Sequence, residues 1–188
     1  MHQTVRLIRD VVAGIQPHDQ LERVHKNDVM AWIDSGTQLF RLAKPDKPPK
    51  HLVSYFIVYD PEHDKLLLIN HLKSGLLLPT GGHIEPDEGP RVTVEREAAE
   101  ELGLTANFGT KFGNDPLFIT VTVTKGQGQH TDVSLWYVIE GDSKQDYAYE
   151  AREMDGYRWL TPTEVLATDI AELDENMHRF VRKMQSFT

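Results

Sequence analysis

Three glutamates within five residues, Glu97, Glu100 and Glu101, are the side chains best placed to do chemistry together. They lie in PRVTVEREAAEEL, residues 90–102, where Pro90 suits a helix's first turn and the following Gly103 suits a left-handed C-terminal cap. The pattern predicts a helix of about 13 residues. At roughly 100° per residue the three carboxylates fall within an arc of about 100°, at i, i+3 and i+4 on one face. Such a face repels itself unless a cation sits on it. Hard divalent ions take oxygen ligands, so the cluster predicts a cradle for Mg²⁺ or Mn²⁺. Val94, Ala98 and Leu102, with Ala99 and Val92 further round, give the helix an apolar side to bury, and the acidic side is expected to stay wet. Glu95 projects among those apolar positions. The plainer explanation of three glutamates is a solvated helix face, and the flanking Gly81-Gly82, Glu88 and Arg96 argue against it by their spacing.

Over residues 82–104, GHIEPDEGPRVTVEREAAEELGL, the chain resembles the signature of the Nudix hydrolases at every position: Gly82, Glu88, Arg96, Glu97, Ala98, Glu100, Glu101, Gly103 and Leu104. Seven of these demand one residue type each. The resemblance implies an α+β fold, an α/β/α sandwich with a mixed β-sheet between helices, covering about residues 50–170. It also implies roles. Glu97, Glu100 and Glu101 correspond to the metal-binding carboxylates, Arg96 and Glu88 to a structural ion pair that anchors the loop 82–89, and Gly81 to a glycine whose backbone carbonyl completes the coordination. A glycine suits that position because a backbone approaches a metal or phosphate closely where no Cβ intervenes.

Metal-assisted attack on a diphosphate needs neutralised phosphate oxygens, a positioned water and a stabilised leaving group. Crowded like charges raise at least one carboxylate pKa, which makes Glu97 the first choice to accept a proton from water. In some family members a loop glutamate outside the signature does this, and YEAREMDG offers Glu150 and Glu153. The resemblance therefore implies a Mg²⁺- or Mn²⁺-dependent hydrolase of a nucleoside diphosphate linked to another moiety. An oxidised nucleoside triphosphate and a nucleotide sugar or ADP-ribose type of substrate fit equally. The branch markers for ADP-ribose, diadenosine polyphosphate and NADH substrates are absent: position 119 is Ile, positions 120–122 are Thr-Val-Thr, and no Pro- and Trp-rich motif occurs. His83, His130, Asp132, Trp136, Tyr147 and Tyr149 are candidate contacts to a base or ribose. Three other readings are a fold-sharing isomerase, which would use a cysteine this chain lacks, a non-catalytic nucleotide sensor, which would have lost signature carboxylates, and an RNA-cap hydrolase, which would add basic patches such as Lys44, Lys47 and Lys50.

The 188 residues contain no cysteine, so disulfides are excluded, and 29 acidic against 20 basic residues give a formal charge of −9. That sign disfavours long-range steering of nucleic acid. No apolar run approaches a membrane span and the N-terminus has no secretory pattern, so a cytoplasmic location is expected. Residues 1–45 read as a helical extension, with one helix around Leu7 to Ile15 and a second with an imperfect stripe of Leu21, Val24, Met30, Trp32 and Ile33; residues 46–188 read as the hydrolase domain. Asp19, Glu22, Asp28 and Asp34 oppose a DNA-reading pair of helices, so packing or a homodimer contact is expected there. KPDKPPK reads as a linker and GQGQ, residues 126–129, as a flexible loop. Strands are expected at 51–60, 65–72, 117–124, 132–140 and 157–160, followed by helices from TPTEVLA and from about Ile170 to Phe187.

Overall fold

The computed structural model describes residues 2–44, 46–124 and 129–187; Pro45 and all but the last residue of the expected GQGQ loop lie outside them. In chain order the elements are α1 (Gln3–Gly14), α2 (Gln20–Asp34), β1 (Lys50–Asp60), β2 (Lys65–His71), β3 (Leu77–Leu78), β4 (Thr80–His83), α3 (Pro90–Leu102), β5 (Phe118–Val123), β6 (Thr131–Glu140), β7 (Met154–Leu160), α4 (Pro162–Ala167) and α5 (Met177–Gln185). The chain forms two compact units and passes between them within β1, β4, α3 and β6 and again between residues 114 and 115. Among the described residues, no helix is long and apolar enough to cross a membrane.

The first unit comprises residues 1–55, 81–94 and 115–137. Here α2 is capped by its own acids: Asp19 accepts from the Glu22 N–H at 2.8 Å, and the Glu22 carboxylate returns to the His18 N–H at 2.7 Å. Two of the four acids that argued against nucleic acid thus start a helix, while Asp28 pairs with Lys50 and Asp34 with Arg9. Lys26 Nζ satisfies the carbonyls of Ala13 and Ile15 at the end of α1, at 2.7 and 2.6 Å. Burial corrects the expected stripe, because Leu21 and Val24 are exposed while Ile8, Val12, Val29 and Ile33 are buried. α2 packs on β5, where His25 Nδ1 accepts from the Val121 N–H at 3.3 Å. β5 pairs antiparallel with β6, from Phe118 opposite Trp136 to Val123 opposite Thr131, and β4 pairs with β1.

The second unit comprises residues 56–80, 95–114 and 138–188, with β2 at its centre. β2 pairs antiparallel with β1, β3 and β7, and its register against β7 shifts between Ile69 and His71. β1 and β6 run in the same direction: Pro49 accepts from Thr131 just before them, and Tyr59 accepts from Gly141 at their far end. Parallel and antiparallel pairs together make the sheet mixed. α4 begins with a capping box in which Thr161 and Glu164 satisfy each other's backbone N–H groups. The last helix starts later than its apolar periodicity suggests. Ile170–Glu172 form one 3₁₀ turn, Leu173 bridges to Leu77, and only then does α5 bury Met177, Phe180, Val181 and Met184.

Candidate active site

α3 has the expected bounds, with Gly103 at φ +59° beyond its end. There the chain turns back, and Gly103 and Leu104 donate N–H groups to the carbonyls of Ala99 and Ala98. Val94, Ala98 and Leu102 are buried as expected, whereas Val92, Ala99 and Glu95 face outward. Glu95 is therefore solvated. The acidic side departs from expectation, because Glu97 and Glu101 are only 9% and 7% exposed and only Glu100 is open to water.

The reason lies in the turn before β7. The Glu150 N–H donates to the Glu101 carbonyl at 3.1 Å, while Glu153 N and Met154 N close on the Glu150 carbonyl at 3.0 and 3.2 Å. This folds residues 150–153 against the last turn of α3. Glu97, Glu100, Glu101, Glu150, Arg152 and Glu153 then line one open cleft of about 210 Å³. Five carboxylates meet a single guanidinium in that lining. Arg96 supplies a second, donating to Glu97 Oε1 at 2.6 Å and to Glu100 Oε2 at 3.4 Å. Burial pushes the Glu97 carboxyl above the usual carboxylate range, Arg96 pulls it back, and the charges of Glu100 and Glu153 add to the upward push.

An all-oxygen donor set with buried members and unbalanced negative charge fits a hard divalent cation. The cleft is smaller than the 300–1,000 Å³ or so of a typical small-molecule site, so it suits a cation with phosphate groups rather than a whole nucleotide.

Glu88, in the first unit, accepts from Thr93 Oγ1 at 2.8 Å and from the Glu85 N–H at 3.3 Å, which closes the loop ahead of α3. Gly81 has φ +149°, and a Cβ there would overlap the Ser54 carbonyl oxygen and stand 2.8 Å from Tyr55 Cα. Close backbone contact with β1 is thus a local reason for glycine at this position.

Of the expected base or ribose contacts, Trp136 is wholly buried, with its indole N–H on Thr120 Oγ1 at 2.9 Å, so it faces no ligand. Tyr147 packs against Tyr157 and Trp159, and Tyr149 remains 44% exposed. His83, His130 and Asp132 meet one another, together with Asp46 and His51, two residues not singled out in the sequence. His-Thr-Asp at 130–132 places His130 and Asp132 on one face of a strand, whereas no such spacing marks Asp46 or His51. Arg152 was also missed, since no helical or strand period marks a turn residue.

A family model, the NUDIX domain, matches residues 49–184. The chain belongs to the Nudix family, and it is a Nudix hydrolase, a class that generally uses a divalent metal. A CTP pyrophosphohydrolase of Escherichia coli (strain K12) is 28% identical over 102 residues, which cover 54% of this chain and 67% of that protein. Among solved structures, a Nudix-family hydrolase from Clostridium perfringens superposes with a TM-score of 0.55 at 21% identity, covering 73% of this chain and 98% of that one. A C. elegans Ap4A hydrolase superposes with a TM-score of 0.56 at 17% identity, covering 72% and 96%. At these identities the two structures support the fold.

Proposed function

We propose that the glutamate cleft hydrolyses a diphosphate linkage in a nucleoside diphosphate joined to another moiety, of the oxidised nucleoside triphosphate or the nucleotide-sugar and ADP-ribose type. The observation that carries this reading is the meeting of three α3 carboxylates with Glu150 and Glu153 in one cleft. Glu97, Glu100 and Glu101 would hold Mg²⁺ or Mn²⁺. When bound, such a cation neutralises phosphate oxygens and lowers the pKa of a coordinated water.

The chain's own groups supply the rest. Glu97, held by Arg96 and with its pKa raised by burial, accepts a proton from the attacking water. Glu153, from the facing turn, is the second candidate for that role. Arg152, whose side chain is 92% exposed, reaches for the phosphate oxygens of the departing group. Glu88 and Arg96 keep the loop and α3 in register for this work. The names of the E. coli and C. elegans relatives describe a CTP pyrophosphohydrolase and an Ap4A hydrolase, which agrees with a nucleotide phosphoanhydride as substrate class.

The test is release of phosphate or pyrophosphate from a panel of modified nucleoside triphosphates, nucleotide sugars and dinucleoside polyphosphates, with Mg²⁺ and with Mn²⁺. Turnover of at least one class, abolished by chelation, is the expected result. Undiminished turnover in excess EDTA overturns the mechanism, and no turnover on any phosphoanhydride overturns the function.

A further inference from the structure

A second donor cluster lies in the first unit and shares no residue with the glutamate cleft. Asp46, His51, His83 and His130 each present a ligand atom, and the four atoms lie within 4.8 Å of one another. They come from distant parts of the chain: the loop before β1, the start of β1, the last residue of β4, and the residue just ahead of β6. His51 is wholly buried, and the side chains of Asp46 and His130 are 21% and 17% exposed. The three rings crowd together, with centroids 4.7 Å apart for His51 and His83 and 5.1 Å apart for His51 and His130.

Three features of this geometry point to a metal ion. First, His51 Nδ1 lies 3.0 Å from the Pro48 carbonyl oxygen. A carbonyl only accepts, so Nδ1 carries the proton, and Nε2 is the ring nitrogen that would ligate an ion. Ligating histidines are commonly oriented by such a backbone carbonyl. Second, His51 Nε2 is 3.0 Å from His83 Nε2, so two ring nitrogens face each other across the space a cation would bridge. Third, Asp132 Oδ1 is buried with His51 Nε2 and His130 Nε2 only 3.2 and 3.3 Å away, so a carboxylate joins the same crowd of imidazole nitrogens. A buried carboxylate needs positive charge beside it, and a cation held among the imidazoles supplies that charge.

A tetrahedral ion about 2.0–2.1 Å from each donor sets donor separations near 3.4 Å. The spacings of 3.0 Å to no more than 4.8 Å close on that value with small side-chain movements. Imidazole nitrogen with carboxylate oxygen suits Zn²⁺ among the common divalent ions, whereas Mg²⁺ favours six oxygens. Four protein donors leave no open position, which is the pattern of a structural rather than a catalytic site.

We propose that Asp46, His51, His83 and His130 form a structural Zn²⁺ site, with Asp132 beside it as an outer carboxylate. The ion ties the loop before β1 to β1, β4 and the lead into β6. It fixes β4, the strand that carries Gly81 and Gly82 into the signature loop, through the residue that follows them.

The experiment uses the full chain without an affinity tag. After dialysis against Mg²⁺ buffer, metal analysis should find about one zinc per chain. Reloading with Co²⁺ should give the intense visible ligand-field absorption of a tetrahedral nitrogen and oxygen site, which octahedral Co²⁺ on carboxylates and water lacks. Glu100→Gln should keep both signals, and a His51→Ala/His83→Ala double variant should lose more than nine-tenths of each. If that variant does not fold, the wild-type Co²⁺ spectrum decides alone. Absence of retained zinc together with absence of the tetrahedral band overturns the proposal, as does loss of zinc in Glu100→Gln with retention in the histidine variant.

Discussion

Replacing Glu97 by Gln separates a residue kept for chemistry from one kept for stability, because the two readings predict opposite signs. The substitution preserves shape and removes a carboxylate that is 9% exposed and held by Arg96 at 2.6 Å. A charge-assisted hydrogen bond contributes about 1.5–3 kcal/mol, and burial of the carboxylate opposes it. The folded-state pKa is raised, so burial, aided by Glu100 and Glu153, outweighs Arg96. A group with a raised folded pKa contributes its stability below the unfolded carboxylate pKa and loses that contribution as pH climbs through the folded value. In EDTA, Glu97→Gln should therefore melt at or above the wild-type temperature at pH 8, with the advantage shrinking toward pH 4. In saturating Mg²⁺ the order should reverse, since the wild type gains more from the cation. Turnover should fall by about 10² or more, equivalent to about 2.7 kcal/mol of transition-state stabilisation. Thermal melts across pH with and without Mg²⁺, beside steady-state kinetics, measure all of this. A variant that melts well below wild type in EDTA at pH 8 while keeping normal kcat would refute the assignment of Glu97 as strained for function.

Glu153→Gln should lower kcat by about tenfold and raise the cation concentration needed for half-maximal activity, since it removes one wall charge of the cleft; unchanged cation titration and kcat would remove the turn from the site. Asp60 is buried, yet hydrogen bonds from Ser143 and His63 hold its carboxyl well below the usual range. Asp60→Asn should cost about 2 kcal/mol at pH 7, with the gap to wild type closing as pH falls below about 4, because the carboxylate's contribution is present above the unfolded pKa and lost as it protonates. A gap independent of pH would show that shape, not charge, matters there. Gly81→Ala should lower stability by about 2 kcal/mol or more, read from denaturant melts, because its Cβ meets the β1 backbone at a φ that only glycine adopts easily. Deleting residues 1–45 should promote association seen by light scattering, since α2 covers β5 and His25 engages the Val121 N–H. A nucleic-acid gel shift by the full chain that the truncation abolishes would contradict a packing role for the extension.

The sequence is most readable where one local rule decides the outcome. Pro90 and Gly103 bracket α3 because a missing N–H and a left-handed cap are local properties, and the i, i+3, i+4 glutamates follow from helix geometry alone. Thr161, Pro162 and Glu164 announce α4 for the same reason. Reading fails where a tertiary contact sets the answer. Leu173 is diverted from a continuing helix by its bridge to Leu77, and the four-residue β4 and two-residue β3 are too short for alternation to show. In α2 an acid, Glu22, is buried because it caps the helix, while Leu21 and Val24 stay in water. Hydropathy predicts the reverse.

The two clusters mark the same boundary at the level of function. Glu97, Glu100 and Glu101 sit within five residues, so one helix displays them, whereas Glu150 and Glu153 reach them through a turn whose Glu150 N–H donates to the Glu101 carbonyl. The spacing foretold an acidic face, but not that a turn would cover Glu97 and Glu101 and desolvate them. That covering gives Glu97 a raised pKa, which makes it a better proton acceptor than a freely solvated carboxylate. The histidine cluster lies beyond local reading altogether, since Asp46, His51, His83 and His130 meet only when β1, β4 and β6 are in place. A cluster assembled this way depends on the fold and, with an ion bound, stabilises the fold in return, so its ligands and its stability should be lost together.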